Sequence, residues 1–244
     1  MYNRFASYYD MLMQDADYTK RTHYMAKLFR KYGSFPTLLL DLACGTGGFS
    51  VPFAELGCSV IGVDASEEML DAAYKKSSGK DILYLCQRME NLDLYGTVQG
   101  TICCMDSLNH ITDYAVLCKV FKRVSLFTEP GGLFIFDVNT PYKHRTILGN
   151  NTFVWEEDGL FISWQNRYTP KTRTVTSDLD FFAADENGTY TRTCETVCER
   201  AYTENELRRA LGRAGFETLA VLGDQSMAPP EKTAERMYFI AKKR

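Results

Sequence analysis

The sequence predicts an α/β protein: a Rossmann-like three-layer sandwich around a seven-stranded, mostly parallel sheet that closes in a reversed last hairpin, plus a small antiparallel β insertion. Three observations carry this. Residues 38–138 alternate short apolar runs with helical stretches, as parallel strands joined by crossover helices do. Residues 151–201 switch to strand pairs joined by Asp-Gly and Asn-Gly turns. The chain then returns to a helix and two strands. A length of 244 residues with 45% hydrophobic and 24% charged residues accommodates one main core of this size.

The first parallel run, "TLLLDLA", ends in Asp41 and opens into a loop carrying Gly45, Gly47 and Gly48. In "GGFSVPFAELG", Phe49, Phe53 and Leu56 share a helical face, Pro52 sits in the first turns where a missing N–H costs least, and Gly57 stops the helix. The second run, "SVIGVD", ends in Asp64. Ser66 then suits an N-cap, Glu67 and Glu68 complement the positive helix start, and Met69, Ala72, Ala73 and Tyr74 form the buried stripe. "ILYLCQ" and "TICCM" supply two more strands. A helix from about Asp113 to Phe127 and the "EPGG" turn lead into "LFIFDV".

In the insertion, Leu160, Ile162, Trp164 and Tyr168 favour one face, and Phe161, Ser163, Gln165 and Arg167 the other. In "TENELRRALGRAGF", Thr203 and Glu206 form a capping box above the apolar face of Leu207, Leu211 and Ala214. "FETLAVL" and "AERMYFIAKK" close the sheet. The division expected is a core of residues 1–140 and 202–244, with residues 141–201 as the insertion.

A net charge of -3 without a basic stripe argues against duplex nucleic acid; a structured RNA or protein partner stays open. The N-terminus lacks a signal-peptide core and no stretch matches a membrane span, so a cytoplasmic protein, monomer or homodimer, is expected. The eight cysteines include no CxxC pair and read as buried reduced thiols, and no metal-ligand set stands out.

In an open parallel sheet, ligands sit at the carboxyl ends of the strands. Counting from Gly45, the dinucleotide pattern G-x-G-x-x-G places Ser50 where its third glycine belongs, and no Gly-Lys-Ser/Thr follows for a phosphate loop. Asp41 would also oppose phosphates: like charges about 4 Å apart repel by roughly 4 kcal/mol at an effective dielectric near 20. A cationic group fits better. Asp64, nineteen residues after Gly45, stands where a carboxylate accepts from ribose hydroxyls.

"LLLDLACGTGGFS" and "VIGVDAS" resemble the first two motifs of the class I S-adenosylmethionine-dependent methyltransferases. The insertion and "FASYYDMLMQDADY" are similar to a small-molecule branch with a β lid after the fifth strand. The resemblance implies S-adenosylmethionine as cofactor and methyl transfer to an N, O or C atom of a small-molecule acceptor. It implies that the methionine ammonium lies by Asp41 and the loop at Ala43, Cys44, Gly45 and Gly47, and the ribose at Asp64, with Ala65 and Met69 beside it. It further implies an adenine contact near Met89, with Arg88 standing where an acid is usual and Glu90 close by. Met105 and Asp106 would border the methionine portion, and Tyr8, Tyr9 and Tyr18 resemble aromatics that fold over the cofactor. Asn109, His110 and His144, with Trp155, Trp164 and Tyr168 of the lid, would face the acceptor. If a base is used, His110 is the first candidate, Asp106 the second and His144, just after "FDVNTPYK", the third. A non-catalytic S-adenosylmethionine-binding module and a nicotinamide-dependent oxidoreductase are the alternatives.

Overall fold

The computed structural model describes residues 13, 16–157, 159–185 and 187–244. Helix α1 (Tyr18–Tyr32) was not anticipated from the pattern. Asp17 caps it by accepting from Lys20 N at 3.1 Å, and Met25, Leu28 and Phe29 form its buried stripe. The core continues through β1 (Leu38–Leu42), α2 (Ser50–Glu55), β2 (Ser59–Asp64), α3 (Glu67–Lys76), β3 (Ile82–Cys86), β4 (Val98–Cys103), α4 (Tyr114–Phe127) and β5 (Thr128–Asn139). The insertion holds β6 (Thr152–Glu157), β7 (Leu160–Thr169), β8 (Thr174–Ala184) and β9 (Tyr190–Arg200). Helix α5 (Glu204–Arg213), β10 (Phe216–Gly223) and β11 (Arg236–Lys243) complete the chain.

The main sheet has seven strands in the order β10-β11-β5-β4-β1-β2-β3. Only β11 is reversed, pairing antiparallel with both β5 and β10. Its first residue, Arg236, therefore lies opposite Asn139 at the carboxyl edge of the parallel strands. The sheet is buried on both faces, as parallel sheets are. On one side Phe121, Phe134, Phe136 and Leu211 pack together, with Phe136 and Phe239 stacked at 4.9 Å. On the other, Phe29, Leu39, Phe53, Ile135 and Ile240 pack beneath α1 and α2.

The local signals act as their chemistry requires. Ser66 Oγ accepts from Met69 N at 3.2 Å, Asp113 caps α4 by accepting from Ala115 N at 2.7 Å, and Thr203 and Glu206 form the reciprocal box at α5. The second sheet has the order β6-β7-β8-β9. Its outward face carries the Arg167–Asp178 and Arg192–Asp180 ion pairs, and the opposite face carries Leu160, Ile162 and Phe181. All eight cysteines are free, but Cys86, Cys194 and Cys198 are exposed, correcting the expectation that the thiols are buried. These three lie on an edge strand and on the outward face of the second sheet, where strand-like sequence does not imply burial.

Candidate active site

The ends of β4, β1 and β2 are neighbours, so their exit loops line one edge. Asp41, at the end of β1, is 1% exposed and accepts from Ser50 Oγ at 2.6 Å. Burial pushes its carboxyl up to about 7, the Ser50 bond resists, and the nearby Asp64 charge adds to the rise. A carboxyl so placed is suited to a cationic neighbour, which would restore its charge.

Asp64 binds the loop itself. One of its oxygens accepts from Gly45 N and the other from Ser66 N, both at 2.9 Å. Burial raises this carboxyl too, against the pull of those amides. The loop between the acids runs through left-handed backbone at Ala43, Gly45 and Gly47, at φ of 61°, 54° and 80°. Gly47 and Gly48 serve the protein's own aromatics: a Cβ on Gly47 would lie 2.8 Å from the Tyr84 hydroxyl, and one on Gly48 2.6 Å from the Tyr18 ring. Tyr18 also meets Phe49 edge-on at 5.0 Å, so it stands against the loop. Tyr8 and Tyr9 lie outside the described residues. Cys44 is buried, Ala65 exposed, and Met69 buried under the start of α3.

After β3, Arg88 is exposed and pairs with Glu90 at 2.6 Å, while Met89 is half-buried. Burial would raise Glu90, but Arg88 prevails and holds it below its usual range.

The β4 exit is strained. Met105 and Asp106 are consecutive left-handed residues, at φ of 54° and 51°, a conformation that costs non-glycine residues energy and persists where the surroundings enforce it. They do so here. Arg236 donates to Asp106 Oδ1 at 2.6 Å and to the fully buried Asp137, whose Oδ1 accepts from Asp106 N at 3.3 Å. Burial opposes ionisation of Asp106, but Arg236 first, then Lys143 and His110, hold its carboxyl at about 2. Burial raises the Asp137 carboxyl against the pull of the same arginine. Asp106 is thus an ionised group bridged to Arg236.

His110 ends the following turn and is exposed. Asn109 is fully buried: its Nδ2 donates to the carbonyls of Arg200 at 2.8 Å and Asn139 at 3.4 Å, and its Oδ1 accepts from Asn139 N at 2.9 Å. Expected to face an acceptor, Asn109 instead joins core backbone at Asn139 to the end of β9 at Arg200. His144 is fully buried in an unanticipated π-helical turn, Lys143–Leu148, with Nδ1 3.1 Å from the Thr140 carbonyl and Nε2 3.1 Å from Glu199 Oε2. Expected to face the acceptor and offered as a third base, it is instead fully enclosed between these two partners. In the second sheet, Trp155 and Trp164 stack at 5.8 Å beside Phe153, so these aromatics build a cluster of their own. Tyr168 is opposite Val175, which is opposite Glu199, so Glu199 shares a face of the second sheet with Trp164.

Sequence reasoning missed Arg236, Asp137 and Glu199. Asp137 had a signal, a lone acid inside the apolar run "LFIFDV", because such a residue is buried only with a partner. Arg236 and Glu199 had none, since each reaches the site across the topology.

The family profile described as a methyltransferase domain matches residues 39–132. YqeM of Bacillus subtilis, named provisionally as a methyltransferase, is 33% identical over 245 residues, covering 100% of this chain and 97% of its own. The crystal structure of an S-adenosylmethionine-dependent methyltransferase from Clostridium acetobutylicum superposes with a TM-score of 0.90 at 34% identity, over 99% of this chain and 98% of that one. The sugar N-methyltransferase KedS8 of a Streptoalloteichus species shares the fold at a TM-score of 0.80 and 22% identity, over 97% of this chain and 92% of its own. Together with the acids and the glycine loop at the sheet edge, these likenesses identify the chain: it belongs to the class I S-adenosylmethionine-dependent methyltransferases.

Proposed function

We propose that this enzyme methylates an N, O or C atom of a small-molecule acceptor held between the carboxyl edge of the main sheet and the four-stranded lid. The observation that carries the cofactor placement is the linked pair of acids, Asp41 buried beneath the glycine loop and Asp64 tied to Gly45 N at 2.9 Å. S-adenosylmethionine supplies an electrophilic methyl group when bound. Asp41 would offer its charge to the ammonium, and Asp64, with both oxygens already oriented by amides, would accept from the ribose hydroxyls. The Tyr18 ring would lie along the loop. A tyrosine face near a sulfonium is worth about 1 kcal/mol.

The acceptor side is the strained β4 exit beneath the lid. Asp106, clamped by Arg236, would hold its place and its charge, while His110 stands exposed at the end of its turn. The remaining work of the protein is alignment and exclusion of water. The lid is joined to the core by Asn109 on Arg200 and by Arg173 on Glu206, so it would serve as a wall of the acceptor site.

Screening candidate small molecules for transfer of a labelled methyl group tests this. Transfer that is lost on substitution of lid residues supports it; cofactor binding without transfer to any acceptor favours the binding-module alternative.

A further inference from the structure

We infer that Glu199, from lid strand β9, binds the acceptor's nucleophile directly, and that this nucleophile is an N–H or O–H group. The inference rests on the acceptor lying between lid and core. Side-chain ligand atoms of Asp106, His110 and Glu199 lie within 4.8 Å of one another. The three come from both sides of the site: two from the β4 exit and one from the lid.

Each carboxylate is oriented from behind. Glu199 is 9% exposed, and its Oε2 accepts from Asn139 Nδ2 and faces His144 Nε2, both at 3.1 Å. Asp106 Oδ1 accepts from Arg236. Among the described residues, Glu199 Oε1, Asp106 Oδ2 and the His110 ring are left without a hydrogen-bond partner. Groups held by one oxygen and open at the other are pre-organised to receive a ligand's donors. A carboxylate oxygen only accepts, so the group of an acceptor that enters against either one must donate. A carbon nucleophile would leave both unsatisfied.

In the transfer, the nucleophile's lone pair forms the bond to the methyl carbon while the carbon–sulfur bond breaks with its pair left on sulfur. Glu199 holds the nucleophile by accepting its hydrogen bond. The proton lost passes along that bond to Glu199, and the exposed His110 beside it hands it on to water.

The test needs no acceptor. Sinefungin is a cofactor analogue with an ammonium group where the sulfonium methyl belongs; S-adenosylhomocysteine lacks anything there. Calorimetry with both ligands on the full chain and on Glu199→Gln should show sinefungin affinity falling about tenfold in the variant, the worth of a hydrogen bond to a charged group, with S-adenosylhomocysteine unchanged. Glu199→Asp should recover part of the loss. Equal losses for the two ligands, or no loss for either, would overturn the inference, because a purely structural Glu199 cannot discriminate between them. Failure of the unaltered protein to bind S-adenosylhomocysteine would instead overturn the cofactor placement beneath it.

Discussion

Asp41 shows at the scale of one residue how burial prepares a site. Its folded-state value of about 7 lies above the ordinary 3.8, so without a cation this group opposes folding increasingly as pH rises from 3.8 to 7. A ligand ammonium favours the ionised form. Affinity for S-adenosylhomocysteine is therefore expected to rise with pH through about 7 and level off above it, and Asp41→Asn should flatten the curve. Calorimetry across pH 5.5–8 measures this, and an unchanged slope in the variant would remove Asp41 from the site. Gly48 gives a steric counterpart. A Cβ there would lie 2.6 Å from the Tyr18 ring, so Gly48→Ala should destabilise by about 1–3 kcal/mol in denaturant melts. Adding Tyr18→Leu should recover part of that, since contacting sites are not additive.

Among elements, the joint between lid and α5 concentrates on Glu206. It closes the capping box on Thr203 and receives both Arg173 Nη atoms from the β7–β8 turn at 2.9 and 2.6 Å. Burial would raise its carboxyl, but Arg173 and Thr203 outweigh that and hold it at about 2. Because this lies below the ordinary 4.5, the contribution is complete above pH 4.5 and is lost as pH falls toward 2. Thr203→Ala should cost about 1 kcal/mol through the cap alone. Arg173→Ala should leave the α5 cap intact and loosen the lid, seen as faster amide exchange in β8 with little change in the main sheet.

Across the whole molecule, what the sequence revealed depended on how local each signal was. β1 and β2 were legible because each is an apolar run ending in an acid, and the α3 and α5 caps because their partners lie within one turn. The proposed cofactor edge followed from those two strands. α1 was hidden because its apolar stripe, Met25, Leu28 and Phe29, is interleaved with polar residues and its cap is an aspartate in left-handed backbone. The proposed acceptor side was least legible. Arg236 reaches Asp106 across 130 positions because one strand is reversed, and Glu199 reaches His144 across 55 because the lid folds back. His144, read as a substrate-side residue and third base candidate, instead supports Glu199 from within the core.

The cofactor placement joins these scales, and one calorimetric comparison tests it most directly: S-adenosylhomocysteine and NADH titrated separately into the unaltered protein and into Asp64→Ala. S-adenosylhomocysteine should bind the unaltered protein, NADH should not, and the substitution should weaken S-adenosylhomocysteine by about 1.5–3 kcal/mol, the worth of hydrogen bonds to a charged group. Binding of NADH alone, or affinity for S-adenosylhomocysteine indifferent to Asp64, would contradict a cofactor held by the two acids and the glycine loop between them.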